Sequence, residues 1–418
     1  MVPMMPEGPA RWMAIGTMLL AVAGIGYYFA AILAGFIYKL DLRAGIRAAR
    51  REAQPGGKKQ QPTVSILKPL KGLDPSMREA FRSHCRQEYG AEYELIFGVA
   101  SLDDPAVAAV EELKSEFPLV RITLVHAPER LGANGKVSTL LQMLPVARHE
   151  VILINDSDIL VSPHYLERVA AAFARADKRP VGMVTALYRG RPHGTIWSRL
   201  EALGIATDFQ PSVLLSRMVE GVKYAFGSTL AVRREALEKI GGLKPLVNHL
   251  ADDYELGKRI YDAGYAVHIC TEAVETGIAA YGLGGFVSHQ LRWARTVRDA
   301  RPVGYAGLLV SHGLALAMLN AVVSGFSLDA IFLFVMSFFA RVALAMEVGA
   351  GILGDHEVLP GLLLLPLRDG LHFLLWCGGF FGRRIHWRGE EFVLRKGVLE
   401  RQGAVIMAQG TGGAGKSN

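Results

Sequence analysis

Val151-Ile-Leu-Ile-Asn-Asp-Ser-Asp158 is the stretch whose reading decides the fold. Four consecutive apolar residues, three of them β-branched, read as a strand buried on both faces. Such strands belong to parallel sheets covered by helices on both sides. Two carboxylates, Asp156 and Asp158, follow the strand at once. Ligands of open α/β sheets bind beyond the carboxyl ends of the strands, so this pair stands where a ligand would sit. Outward from there, residues 64–67, 93–100 and 120–126 read as further strands. Residues 77–87, 105–116 and 137–144 read as helices. Strand and helix alternate, which predicts an α/β domain with a mostly parallel sheet. The second half is less regular. A strand over 226–232 runs into a helix over 234–240 that ends at Gly241–Gly242. Residues 252–263 read as a helix with Leu256 and Ile260 on one face.

The chain around this block is of another kind. With 418 residues, 51% hydrophobic and 20% charged, it is too apolar for a purely soluble enzyme and too charged to be membrane throughout. Residues 12–38 contain no Asp, Glu, Lys or Arg, and a span needs only ~20 apolar residues. A cleaved signal peptide would be shorter and would follow a basic stretch. Here Lys39, Arg43, Arg47, Arg50, Arg51, Lys58 and Lys59 come after the segment. The positive-inside rule therefore puts the polar block in the cytoplasm. The formal net charge of +7 reads as a juxtamembrane anchor to anionic lipid rather than a nucleic-acid surface. Downstream, three apolar stretches can be drawn over 305–326, 330–353 and 359–381. Three full crossings would put the basic tail outside, yet Arg383, Arg384, Arg388, Arg395, Lys396 and Arg401 belong inside. One stretch is therefore expected to be interfacial or re-entrant. Pro366, Arg368 and Asp369 interrupt the last stretch, and His312 and Asn320 the first.

Each acidic motif has a structural and a chemical reading. Asp156 and Asp158 suit Mg²⁺ or Mn²⁺, which take oxygen ligands and share them with substrate phosphates. A bare pair of this kind is otherwise a solvated turn. Asp103 and Asp104 precede Pro105 at a strand-to-helix turn. One can cap the helix while the other accepts from a nucleotide base. Asp252 and Asp253 begin a helix whose dipole favours ionised carboxylates. Their mutual repulsion raises one apparent pKa toward a value useful to a general base. Arg292 and Trp293 follow the aromatic, glycine-rich run Tyr281-Gly-Leu-Gly-Gly-Phe286. An arginine fork suits a diphosphate. Arg295, Arg298 and Arg301 read as a plain juxtamembrane cluster. Cys85, Cys270 and Cys377 are widely spaced and form no metal or disulfide pattern. Gly410-Thr-Gly-Gly-Ala-Gly-Lys-Ser417 matches a P-loop by letters, but only Asn418 follows, and a P-loop needs a helix there.

These motifs resemble the ceramide glucosyltransferase family, a branch of the inverting GT-A glycosyltransferases, over residues 62–300. Val64-Ser-Ile-Leu-Lys-Pro-Leu-Lys-Gly72 with Asp74-Pro75 is similar to that family's opening strand. The family's first Asp resembles Asp104, or Asp103 by one place. Its second resembles Asp156, and its third, the base, Asp253. Its Asn-x-Lys element resembles Asn134-Gly-Lys136. Its closing motif, Gln or Arg, two residues, then Arg-Trp, resembles His289-Gln-Leu-Arg-Trp293, but His289 departs from the Gln or Arg of the first position, the Gln standing one place later at Gln290, which leaves the role of His289 open. The closing segment also resembles bacterial members associated with hopanoid synthesis.

The resemblance implies a GT-A-like, mostly parallel sheet domain over 62–303, flanked by transmembrane helices. It implies a UDP-sugar donor held by Asp103, Asp104, Asn134, Lys136, Asp156, Arg292 and Trp293. Mg²⁺ or Mn²⁺ is expected on Asp156 and Asp158, with Asp253 catalytic. The acceptor is a lipid of the bilayer, with N-acetylglucosamine passing to bacteriohopanetetrol at a bacterial inner membrane. Transfer of glucose to ceramide is the alternative. A membrane sensor of sugar nucleotides would need the fold but not the base. A processive polysaccharide synthase would carry more spans. A polyprenyl-phosphate glycosyltransferase fits less well, because the Lys-Pro-Leu-Lys-Gly stretch favours the ceramide-like group. The remaining segments are a tail over 1–11, a basic linker over 39–61, a membrane region over 304–382 and a basic cytoplasmic tail over 383–418.

Overall fold

The computed structural model describes residues 8–52, 61–74, 76–387 and 390–401. The P-loop-like run at 410–417, Pro75 and the linker residues 53–60 lie outside them. Seven strands form the main sheet: β1 (Val64–Leu70), β2 (Tyr93–Val99), β3 (Arg121–His126), β4 (Val151–Ile154), β5 (Val181–Pro192), β6 (Leu230–Arg233) and β7 (Ala266–Ile278). Their order is β3-β2-β1-β4-β6-β5-β7. All neighbours are parallel except β6, which runs antiparallel between β4 and β5. The sheet domain is thus α/β, GT-A-like and mostly parallel.

β4 is buried on both faces, as its composition predicts. Val151 and Leu153 join Phe81, Phe97 and Val110 on one side. Ile152 and Ile154 join Leu140, Met143, Leu256 and Ile260 on the other. Each such side chain contributes ~1.5–3 kcal/mol by leaving water, so this strand holds two helical layers together. The strand expected over 226–232 is shorter. It begins at Leu230, because Phe226 and Thr229 close a turn. β5, β7 and the Ile196–Gly204 and Gln210–Glu220 helices fall where the sequence offered no regular pattern.

Among the described residues, four helices are long and apolar enough to cross a membrane: Pro9–Ala44, Pro302–Val323, Leu328–Ala350 and Val358–Gly379. The first belongs to a helix that continues to Glu52, through the region read as a basic linker. From Lys39 to Glu52 only Gly45 is a poor helix former, and Leu, Ala, Lys and Arg form helix well. Its polar end is tied down by Lys39 to Glu347 at 2.9 Å and by Arg217 to Asp41 at 2.7 Å. Gly24 and Gly313 let two helices touch backbone to backbone, since a Cβ built on either runs into the other chain segment.

The charges at membrane depth are paired. Arg341 donates to both carboxylate oxygens of Asp369, at 2.7 and 3.0 Å, and to the Thr207 carbonyl at 2.7 Å. Arg368 pairs with Asp208 at 3.0 Å. Thr207 and Asp208 lie in a π-helical turn, Ile205–Phe209, of the sheet domain. The network therefore rivets the apolar helices to that domain.

The basic tail is not simply a tail. Its described part folds into a small antiparallel sheet, β8 (Arg384–Trp387), β9 (Glu390–Arg395) and β10 (Val398–Arg401). Ile385, Phe392, Leu394 and Leu399 pack with Ala133 and Leu250 of the main domain. Phe392 and Leu394 are buried with half-buried Val393 between them, the two-residue period of a strand with one face covered.

Candidate active site

Two of the three acidic motifs meet at one point, Gly227. A Cβ built there would lie 3.1 Å from Asp156 Oδ2, 3.4 Å from Asp253 Oδ2 and 3.8 Å from Lys136 Nζ. Asp156 arrives from the end of β4. Lys136 arrives from the start of the Gly135–Met143 helix and pairs with Asp156 at 2.7 Å and with Asp252 at 3.6 Å. Asp253 arrives from the first turn of the Asp252–Asp262 helix. Its Oδ2 accepts from Gly227 N at 2.8 Å and its Oδ1 from Tyr254 N at 2.8 Å. Burial, and then the neighbouring Asp252 charge, push Asp253 up to about 6, against the pull of Lys136. That value suits a base working near neutral pH.

Asp158 turns slightly away. Its Oδ2 accepts from Thr276 Oγ1 at 2.6 Å and from Gly277 N at 2.9 Å. Burial and the Asp156 charge raise its pKa. Two carboxylates whose joint ionisation is disfavoured suit a divalent cation, completed by substrate phosphate oxygens. Among the described residues no group of three His, Cys, Asp or Glu side chains is arranged to hold a metal, so Asp156 and Asp158 form at most a partial ligand set.

Other sequence candidates have structural work. Asn134 is fully buried. It caps its helix by accepting from Val137 N, and it donates to the His249 carbonyl at 2.8 Å and to Asp252 at 3.3 Å. Its amide is hydrogen-bonded within the protein, where it orients the start of the Asp252–Asp262 helix. Asp104 accepts from Gly72 N at 2.9 Å and Ala106 N at 2.9 Å, which makes it the capping member of its pair. Asp103 is the exposed member. Trp293 packs with Ala202, Ile205 and Ile278. Its ring is 6.4 Å from that of Phe209, which is 5.7 Å from that of Phe226, the residue before Gly227. Arg292 precedes it on the Leu283–Ala300 helix, half-buried.

Three features escaped the sequence reading. Lys68 is wholly buried in β1 and donates to the Asp156 carbonyl at 3.0 Å. Burial pulls its pKa down to about 7, while Asp158 and Asp156 oppose that fall. A lysine inside a strand apolar on both sides was the available signal. Glu201, also buried, receives Tyr281 Oη, His289 Nδ1 at 3.0 Å and Gln290 Nε2 at 3.1 Å, all on Oε2. This gives His289 a defined partner. Finally, β10 joins the loop that carries Asp252: Leu399 N donates to the Asn248 carbonyl at 2.7 Å and Leu250 N to the Gly397 carbonyl at 3.1 Å.

This arrangement can hold a diphosphate beside a cation and a base. The chain belongs to glycosyl transferase family 21, whose sequence model matches residues 19–399. Among curated proteins it is 26% identical to ceramide glucosyltransferase 3 of Caenorhabditis elegans, over 56% of this chain and 50% of that one. It is 24% identical to ceramide glucosyltransferase 1 of the same organism, over 66% of this chain and 61% of that one. The chain thus spans less than two thirds of either relative. Among solved structures, a mannosyltransferase from Pyrobaculum calidifontis, in complex with GDP-Man and Mn²⁺, overlaps with a TM-score of 0.44 at 19% identity, covering 87% of this chain and 99% of that one. The resemblance to ceramide glucosyltransferases therefore holds at the level of the family.

Proposed function

We propose that this protein moves a sugar from a UDP-sugar to a hydroxyl of a membrane lipid, with inversion at the sugar C1. The observation that carries the reading is the convergence of Asp156, Lys136 and Asp253 on Gly227, in a domain riveted to apolar helices. In this reading Asp103 accepts from the uracil ring. Lys136 and Arg292 hold the diphosphate. Asp156 and Asp158 would hold Mg²⁺ or Mn²⁺, which when bound would supply positive charge to the departing diphosphate. Asp253 takes the proton from the acceptor hydroxyl as its oxygen attacks C1 from the face opposite the leaving group. The diphosphate departs as UDP. Gly227 leaves room for this approach, since any side chain there would fill the space between base and diphosphate.

The hopanoid-like ending of the Leu283–Ala300 helix supports N-acetylglucosamine as sugar and bacteriohopanetetrol as acceptor. The names of the curated relatives support the alternative, glucose to ceramide. The location is a bacterial inner membrane, with the sheet domain in the cytoplasm. Pairing of β10 with residues 248–250 holds the end of the membrane region on the same side as the sheet domain. This supports an even number of crossings between residues 302 and 379, with one of those three helices not crossing.

The test is purified protein with a panel of UDP-sugars and a bacterial lipid extract, read by mass spectrometry. The expected outcome is one glycolipid mass shift with stoichiometric UDP. UDP-sugar binding with no lipid product would refute the reading and leave a sensor.

A further inference from the structure

A second polar cluster lies on the membrane side of the catalytic site. A cavity of about 110 Å³ opens between the Leu283–Ala300 helix, the Ile205–Phe209 turn and two of the apolar helices. Glu201, Gln290 and Trp293 line one wall, and Asp208, Arg368 and His372 another. One water needs only ~10–15 Å³ of such space, so the cavity has room for several waters or a small hydroxylated head. Charged groups at this depth normally face a protein interior or a wet cavity. The Asp208–Arg368 pair explains itself as part of the rivet to Arg341 and Asp369.

The Glu201 cluster has no such role. It ties no apolar helix to the sheet domain. Instead it gathers Tyr281, His289 and Gln290 around one buried carboxylate oxygen at the cavity wall. From there a continuous aromatic path leads to the base: Trp293, Phe209 and Phe226 in ring contact, then Gly227. Tyr188 packs on Phe209 at 5.6 Å along the same path. Val297 also lines the cavity and is 42% exposed, which puts it at the mouth.

We propose that this cavity binds the hydroxylated head of the lipid acceptor, with Glu201 and Gln290 reading a vicinal diol and the apolar tail lying against the helices at the mouth. This rests on the lipid-acceptor reading above. A carboxylate accepts from hydroxyls, the Gln290 side chain can re-aim to donate to them, and His289 positions Glu201 from behind the wall. A tail without hydroxyls meets only the apolar wall. The cluster thus sets which lipid presents a hydroxyl to Asp253.

The experiment uses the detergent-solubilised full chain and two probes: a hexadecyl glyceryl ether, which ends in a vicinal diol, and its dimethylated analogue of the same length. Binding is read by native mass spectrometry, with UDP affinity measured separately. The wild type is expected to prefer the diol by about tenfold, the worth of one charge-assisted hydrogen bond. Glu201→Gln and His289→Phe are expected to erase that preference and leave UDP affinity within about twofold. Val297→Trp, at the tolerant mouth, is expected to weaken both probes and so checks the cavity without disturbing the buried cluster. Equal binding of the two probes by the wild type would overturn the proposal. So would a preference that survives in Glu201→Gln, or a parallel loss of UDP affinity. Selective diol binding with no sugar transfer from any donor would uphold the cavity and sink the catalytic reading instead.

Discussion

Asp253→Asn is the sharpest probe of the site. Each carboxylate oxygen accepts one backbone N–H, from Gly227 and from Tyr254. An amide offers one acceptor and one donor, so one of those N–H groups loses its partner. That costs about 1–3 kcal/mol of stability. The amide cannot take a proton, so turnover is expected to fall ~10²-fold or more, about 2.7 kcal/mol on the barrier. UDP affinity is expected to survive, because Asp156 and Lys136 keep their pair. The pH profile sharpens the test. With Asp253 raised to about 6, the base is ionised above that value and protonated below it. Wild-type activity is then expected to rise roughly tenfold from pH 5 to a plateau above pH 7. Asp253's own contribution to folding stability runs the other way: it is fully present below the ordinary Asp pKa of ~4 and is lost as pH rises through about 6, where a buried charge must form. Asp252→Asn removes a like charge, so its acid limb is expected to move to lower pH with turnover largely kept. The assay is steady-state transfer by both variants across about pH 4.5 to 8, with UDP binding by calorimetry. A dead Asp252→Asn beside an active Asp253→Asn would reverse the assignment. Loss of donor binding in both would put the base elsewhere.

Arg292→Lys is expected to lose ~10²–10³ in turnover, since an ammonium does not replace the guanidinium fork. Near wild-type turnover would count against a diphosphate contact. Chelation is expected to abolish transfer and Mn²⁺ to restore it, because Asp156 and Asp158 need a cation to share the diphosphate. Full activity in excess EDTA would end the metal reading. Leu399→Asp puts a charge into the cluster of Phe392, Leu394 and Leu250 and is expected to cost ~2–5 kcal/mol locally. Faster hydrogen exchange at the Leu250 amide, with turnover down about tenfold, is the expected result. Unchanged exchange and rate would show that the small sheet does not brace the Asp252 loop.

Much of this protein is legible in its sequence, for local physical reasons. Val151-Ile-Leu-Ile154 announces a doubly buried strand, and the acidic pair after it falls at a strand end. Apolar period and length mark the four long helices. The run from 252 shows its helix by Leu256 and Ile260 on one face. These are properties of neighbours in the chain, set by side-chain direction along a helix or strand. Tertiary structure decided what those neighbours meet. No local pattern says that β6 inserts antiparallel beside β4, yet that insertion is what brings Gly227 between Asp156 and Asp253. The same holds for Asn134, whose motif reads as ligand-binding and whose amide is hydrogen-bonded to His249 and Asp252. Lys68 gains its place under Asp156 only when β1 and β4 pair in register. His289, an open position in the sequence, finds its partner in Glu201 from a distant helix. The basic stretch after residue 383 reads as tail by charge and becomes a sheet only because Leu250 and Ala133 offer it an apolar surface. Composition and periodicity choose the elements and their buried faces. Register, strand insertion and docking choose which side chains share a site, because they depend on contacts between residues far apart in the chain.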